Sequence, residues 1–173
     1  MRRFKGIHSA IAAAAITGVI TGVMAVGASA DEYKLERMNP ETLNKHPAYA
    51  QVTTVTGDMK LVFIAGQVDR AVDYKPGSNK CRHSDWHGQY VGMMDNIGKG
   101  LEAAGATWAD VVYIRRFTVS MKGYIDTVRD QKNPVPRYWK RWQSPPSTLV
   151  EVVRLSEPCQ LMETDVMAVV KGK

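Results

Sequence analysis

Cysteine is scarce in this sequence: there are two, Cys81 and Cys159, and no CxxC pair. The four histidines are scattered. His83 and His87 are four apart, but the third ligand and the glutamate of a helical zinc-hydrolase motif are missing. A metal centre of the cysteine or histidine kind is therefore excluded, and the two histidines read as solvated residues at a helix start. Internal repeats and low-complexity linkers are absent too, which leaves one domain of ordinary size. A basic run interleaved with aromatics occurs only at Arg137-Tyr138-Trp139-Lys140-Arg141-Trp142, so nucleic-acid binding is set aside.

Long apolar sequence is confined to the beginning of the chain. Met1-Arg2-Arg3-Phe4-Lys5 is a basic head, Ala10–Gly27 is apolar, and Ala28-Ser29-Ala30 is a small-x-small cleavage site followed by Asp31-Glu32. Head, core and cleavage site together predict a secretory signal peptide over residues 1–30 and a single domain over 31–173. The rival is an uncleaved anchor, disfavoured by the Ala- and Gly-rich run and its A-S-A ending; cleavage leaves no stable membrane anchor. Arg2, Arg3 and Lys5 supply half of the net +6 charge, and that excess leaves with the leader. Export predicts a periplasmic or secreted protein in an oxidising compartment, where an even cysteine count invites a Cys81–Cys159 disulfide. Whether the two sulfurs come within reach is not legible from sequence.

Along the predicted mature chain, residues 31–46 are polar and without period, an extended arm or short cap. Residues 49–56 alternate, Gly57-Asp58 turns, and Lys60–Ala65 is a continuous apolar run, which together predict a hairpin closed by Gly66-Gln67. Residues 68–83 form a polar loop. Ser84 is the expected cap of a helix whose apolar stripe runs through Trp86, Tyr90, Met93, Met94, Ile97, Leu101 and Ala104 to Gly105. Val111–Val119 predicts a strand on which Arg115 and Arg116 point to opposite faces. Met121–Arg129 predicts a short helix, interrupted at Asn133-Pro134-Val135-Pro136, and Tyr138–Trp142 a further helical turn packed on the sheet. Two β-branched runs, Thr148–Leu155 and Leu161–Val170, predict a last hairpin that begins after Pro145-Pro146. Glu151 and Asp165, one acid on each strand, are either outward-facing residues of the alternation or parts of a site. The order β-β-α-β-α-β-β predicts an α+β domain, a mixed sheet with two helices on one face.

Three segments in register carry a resemblance. Leu61-Val62-Phe63-Ile64-Ala65-Gly66-Gln67 is similar to a strand ending in Ser-Gly-Gln. Asp95-Asn96-Ile97 with Leu101-Glu102-Ala103-Ala104-Gly105 is similar to a first helix. Pro145 through Leu155, PPSTLVEVVRL, is similar to a Pro-Ala-Arg-Ser-x-Val-Glu-Val-x-Arg-Leu signature. Together they resemble the Rid (reactive intermediate deaminase, YjgF-type) family over about Arg37 to Val170. The resemblance implies a chorismate-mutase-like α+β fold, a homotrimer and three sites in clefts between subunits. It implies hydrolysis of 2-aminoacrylate-type enamines and imines, such as 2-iminopropanoate or 2-iminobutanoate, to 2-keto acids and ammonia without cofactor or metal.

Carried over by motif, the family's tyrosine falls on Tyr49, its glycine on Gly66 and its acid on Asp165, with Ala65 in place of the serine. The arginine that clamps the substrate carboxylate falls on Ser147, which cannot neutralise an anion. Val150-Glu151-Val152 fixes that register. Arg115, Arg116, Lys122 and Arg137 are the cations that would compensate. Three readings stay open: a divergent enamine or imine hydrolase, a non-catalytic module binding a small metabolite, and a scaffold trimer for a partner. An exposed Trp139 or Trp142 would favour the last.

Overall fold

The computed structural model describes residues 32–43, 49–140 and 144–172. The leader expected over residues 1–30 lies outside them, as does Trp142; no described helix is long and apolar enough to cross a membrane. The elements are β1 (Lys34–Met38), β2 (Val52–Thr56), β3 (Met59–Gln67), α1 (Trp86–Ala103), β4 (Val111–Thr118), α2 (Met121–Arg129), β5 (Ser147–Glu151) and β6 (Met162–Lys171). Short 3-10 turns at Trp108–Asp110 and Val135–Arg137 complete the order. The expected α+β class, a mixed sheet with two helices, is what forms.

The α1 stripe works as periodicity demands. Tyr90, Met93, Met94, Ile97 and Leu101 are essentially inaccessible, and α1 packs on β3, β6 and α2. Each such side chain contributes about 1.5–3 kcal/mol by leaving water. Gly105, at φ +73°, ends the helix where a side chain would be strained. The cap is Asp85 rather than Ser84: its carboxylate accepts from the Gly88 N–H at 2.8 Å. Ser120 caps α2 by accepting from Gly123 N–H, and Tyr124 and Thr127 are its buried residues, with Ile125 and Val128 packed at the edge of the core.

Both expected hairpins are corrected. The main sheet has the order β3-β6-β4-β5, and β5 pairs in parallel with β4, not with β6. The reason is covalent: α2 is a crossover that returns the chain alongside β4, and a helical crossover joins parallel strands. β6 then inserts between β3 and β4, antiparallel to both. At the other end, β2 pairs with β1 in a separate two-stranded sheet, while β3 pairs with β6. Gly57 still makes its turn, at φ +92°, but between strands of different sheets. The segment read as an arm supplies β1, and its Arg37 donates to the carbonyls of Ala109 (2.7 Å) and Val111 (2.9 Å).

The C-terminal aromatics pack inward. Trp139 is 4% exposed and meets Trp108 edge-on at 4.8 Å between centroids, so it offers no partner surface. A 3-10 turn at Val135–Arg137 takes the place of the helical turn expected from Tyr138. Cys81 and Cys159 are bonded, tying the 68–83 loop to the β5–β6 connection.

Candidate functional site

The helix-free face of the sheet carries a groove of about 460 Å³ lined by Phe63–Gly66, Tyr113, Arg115 and Asp165–Met167. Strand alternation puts the side chains of Phe63, Tyr113, Arg115, Asp165 and Met167 there. Asp165 lies opposite Arg115, and Met167 opposite both Phe63 and Tyr113, while Val166, Ile114 and Val62 turn toward the helices. Arg115 donates through Nε to both carboxylate oxygens of Asp165, at 3.0 and 3.1 Å, and the Tyr113 hydroxyl lies 2.7 Å from Thr148 Oγ1.

The register of β3 breaks between Ile64 and Gln67. This bulge lets Gly66 face the first acid of β6, Glu163, so closely that a Cβ at residue 66 would run into its carboxylate. Burial pushes the Glu163 carboxyl above the usual range; neighbouring Asp165 adds to the rise and Arg70 opposes it. Among the described residues no hydrogen bond or ion pair holds Glu163. A partly desolvated acid beside bare backbone is a group that can exchange a proton with a small substrate.

Sequence reasoning missed Glu163. Its signal was parity: it shares a face with Asp165, two residues on, so alternation alone made both acids candidates. The structure distinguishes them, because Asp165 is occupied by Arg115 and Glu163 is not.

The remaining sequence candidates are scattered. Ser147 stands on the opposite edge strand, in the row Ile64–Val166–Ile114–Ser147 that faces the helices. Three inter-strand spacings, about 14 Å, separate that row's ends. Tyr49 bridges Ser144, just before β5, so it belongs with Ser147 and not with Gly66. Arg116 lies on the helix side, its guanidinium 5.9 Å from the Trp139 ring centre. Lys122 pairs with Asp126 at 2.5 Å and Arg137 with Asp95 at 3.2 Å, both on helix surfaces. Glu151, exposed, accepts from the Met121 N–H at the start of α2.

The loop after Gly66 is unusually well tied. Asp69, fully buried, accepts at Oδ2 from His83 N–H (2.8 Å) and lies 3.0 Å from His83 Nδ1. His83 is thus held and not merely solvated, whereas His87 is exposed. Among the described residues no cluster of three or more metal-ligating side chains occurs. Glu157, also buried, accepts from Gly77 N–H, Asn79 N–H and the Tyr74 hydroxyl, which hold its carboxyl below the usual range.

The sequence profile of the family described as Endoribonuclease L-PSP matches residues 41–170. No curated protein sequence matches the chain. Among solved structures, a Rid-family protein of unknown function from Yersinia pestis is 22% identical, with a TM-score of 0.60 over 79% of this chain and 98% of that one. A protein from Thermotoga maritima titled a putative endoribonuclease is 26% identical, with a TM-score of 0.51 over 72% and 87% of the two chains. A YjgF-family protein from Mycobacterium tuberculosis is 24% identical, with a TM-score of 0.50 over 70% and 86%. The chain belongs to this family, the Rid or YjgF family.

Proposed function

We propose that this protein is an exported Rid-family hydrolase that converts small 2-imino acids, and the enamines in equilibrium with them, to 2-keto acids and ammonia. The observation that carries this reading is the Glu163 carboxyl set against Gly66, with its proton affinity raised by burial. An imine carbon is already electrophilic, so a site has only to hold it, admit water and move protons. Glu163 takes a proton from water as its oxygen bonds to the imine carbon, giving a carbinolamine. That proton passes to the nitrogen to complete it; a second then moves from the new hydroxyl through Glu163 to the same nitrogen, the C–N bond breaks, and the carbonyl and ammonia leave. Substrate plus water thus balances keto acid plus ammonia, with nothing oxidised or reduced. Gly66 serves because any side chain there would displace the acid.

Gly66 and Glu163 lie toward the β3 edge, and Tyr49 and Ser147 at the β5 edge, so one copy does not bring them together. We read the site as completed when the β5 edge of one copy meets the groove of the next. Such a head-to-tail contact can close into a ring, as the homotrimer implied by the resemblance requires. Leu61, Phe63 and Val150, 54%, 68% and 41% exposed, supply apolar surface for that contact. The leader expected from the sequence and the Cys81–Cys159 bond support an oxidising, extracytoplasmic location.

The test is ammonia and pyruvate release by the purified mature oligomer from 2-iminopropanoate generated in situ. Wild type should turn over, and Glu163→Gln, which keeps shape but not proton transfer, should lose about 10²–10⁴ in kcat. No wild-type turnover in a correctly folded oligomer would refute the hydrolase reading and leave that of a binding module.

A further inference from the structure

The basic aromatic run that stands out in the sequence takes no part in the site above, yet Arg137–Lys140 forms the wall of a second cavity. This cavity holds about 300 Å³. Its lining joins the rings of Trp108, Tyr138 and Trp139 to the cations Arg37, Arg137 and Lys140, and includes no acid. It shares no residue with the groove of Phe63 and Asp165.

The rings are fixed in place. Trp108 meets Tyr138 and Trp139 edge-on, at 5.2 and 4.8 Å between centroids, and the Tyr138 hydroxyl donates to Asp95 at 2.9 Å. Aromatic walls of this kind accept a further flat ring by edge-on or offset contact. The cations differ among themselves. Asp95 pairs with Arg137 at 3.2 Å, whereas Lys140 is exposed and has no ion pair among the described residues. Arg37 spends Nη2 on the carbonyls of Ala109 and Val111. Burial lowers its pKa from the ordinary arginine value, while Tyr33 and Asp110 act to raise it.

Two donors are left over. Trp139 is 4% exposed, and its indole Nε1 is buried without a hydrogen-bond partner among the described residues; the same holds for Arg37 Nε. A buried donor left unsatisfied carries its full desolvation cost, so such groups ask for an explanation. Both nitrogens belong to residues of this one cavity wall. An acceptor that enters the cavity would satisfy them.

We propose that the cavity is a second ligand site that takes a small aromatic acid. The ring lies among Trp108, Tyr138 and Trp139, and the anionic group accepts from the Trp139 indole and the Arg37 guanidinium, with Lys140 adding charge. The volume is at the lower end for ligand pockets, enough for a single ring system and too little for an oligonucleotide. This assignment stands independently of the hydrolase reading.

Indole-3-carboxylate is the probe, titrated calorimetrically into the intact oligomer beside its uncharged amide and the non-aromatic cyclohexanecarboxylate. Wild type should bind the acid saturably and the other two at least about tenfold more weakly. Trp139→Phe, which keeps a ring but removes the N–H, should weaken the acid about tenfold. Lys140→Ala, at an exposed position where folding is not at stake, should weaken the acid about threefold and leave the amide unchanged. Glu163→Gln should bind the acid as wild type does. Absence of saturable binding at millimolar acid would overturn the inference, as would equal affinity for acid and amide. Unchanged affinity in Lys140→Ala and in folded Trp139→Phe would do the same, and loss of binding in Glu163→Gln would move the ligand to the other site.

Discussion

The two faces of the four-stranded sheet differ in kind. The helix-facing side is closed: Val62, Ile114, Met162, Val166 and Ala168 are buried under α1, α2 and the turn at Val135–Arg137. The opposite side leaves Leu61, Phe63 and Val150 in solvent, with an acid, a glycine and an ion pair among them. A sheet can spare one face for water, but that face is then usually polar. Here it is apolar, and in the function proposed above one face stabilises the monomer while the other serves assembly and substrate.

Breaking the second face should have the largest effect. Phe63→Asp places a charge in the region proposed to be covered by a neighbouring copy. It should dissociate the oligomer and abolish turnover while the monomer stays folded, as sedimentation and far-UV circular dichroism would report. An undisturbed oligomer would remove the face from the interface. On the first face, Ile97→Ala should cost about 2–5 kcal/mol in urea unfolding, whereas Phe63→Ala in the monomer should stay within about 0.5 kcal/mol. Comparable losses would mean the faces are not so distinct.

The acids sharpen the comparison further. Because burial raises the Glu163 carboxyl, the acid limb of kcat/KM should lie above the ordinary glutamate range. Removing Asp165, which adds to that rise, should move the limb down in Asp165→Asn; removing Arg70 should move it up. The stability consequence has a definite sign. A carboxyl raised in the folded state makes that state bind the extra proton, so stability falls as pH climbs from the unfolded value through the folded one, then levels. The smallest effect belongs to Arg115→Gln: with the arginine side chain 59% exposed, loss of the pair should leave the urea midpoint essentially where it was.

Much of this architecture was legible because it is local. The α1 stripe and Gly105 follow from helical period and backbone freedom, and the Arg115/Arg116 split follows from strand alternation. What alternation does not encode is the neighbour of each strand. β5 and β6 follow each other in the chain and alternate alike, yet α2 returns β5 alongside β4, and β6 enters between β4 and β3. The choice between Glu163 and Asp165 was hidden for a related reason. Both acids share a parity, and what separates them is a bulge in β3 and an arginine on β4, each distant in sequence.

The central claim is that the β5 edge of one copy and the Gly66–Glu163 pair of another make one site. It is tested most directly by mixing subunits. Glu163→Gln lacks the acid, and Ser147→Glu places an anion at the β5 edge that would repel a carboxylate substrate. Each alone should be inactive toward 2-iminopropanoate. Unfolded together in equal amounts and refolded as mixed oligomers, they should regain activity at about one site in four, since random assembly pairs an intact groove with an intact edge that often. Mixed oligomers that stay silent, or a Ser147→Glu protein as active as wild type, would contradict a shared site.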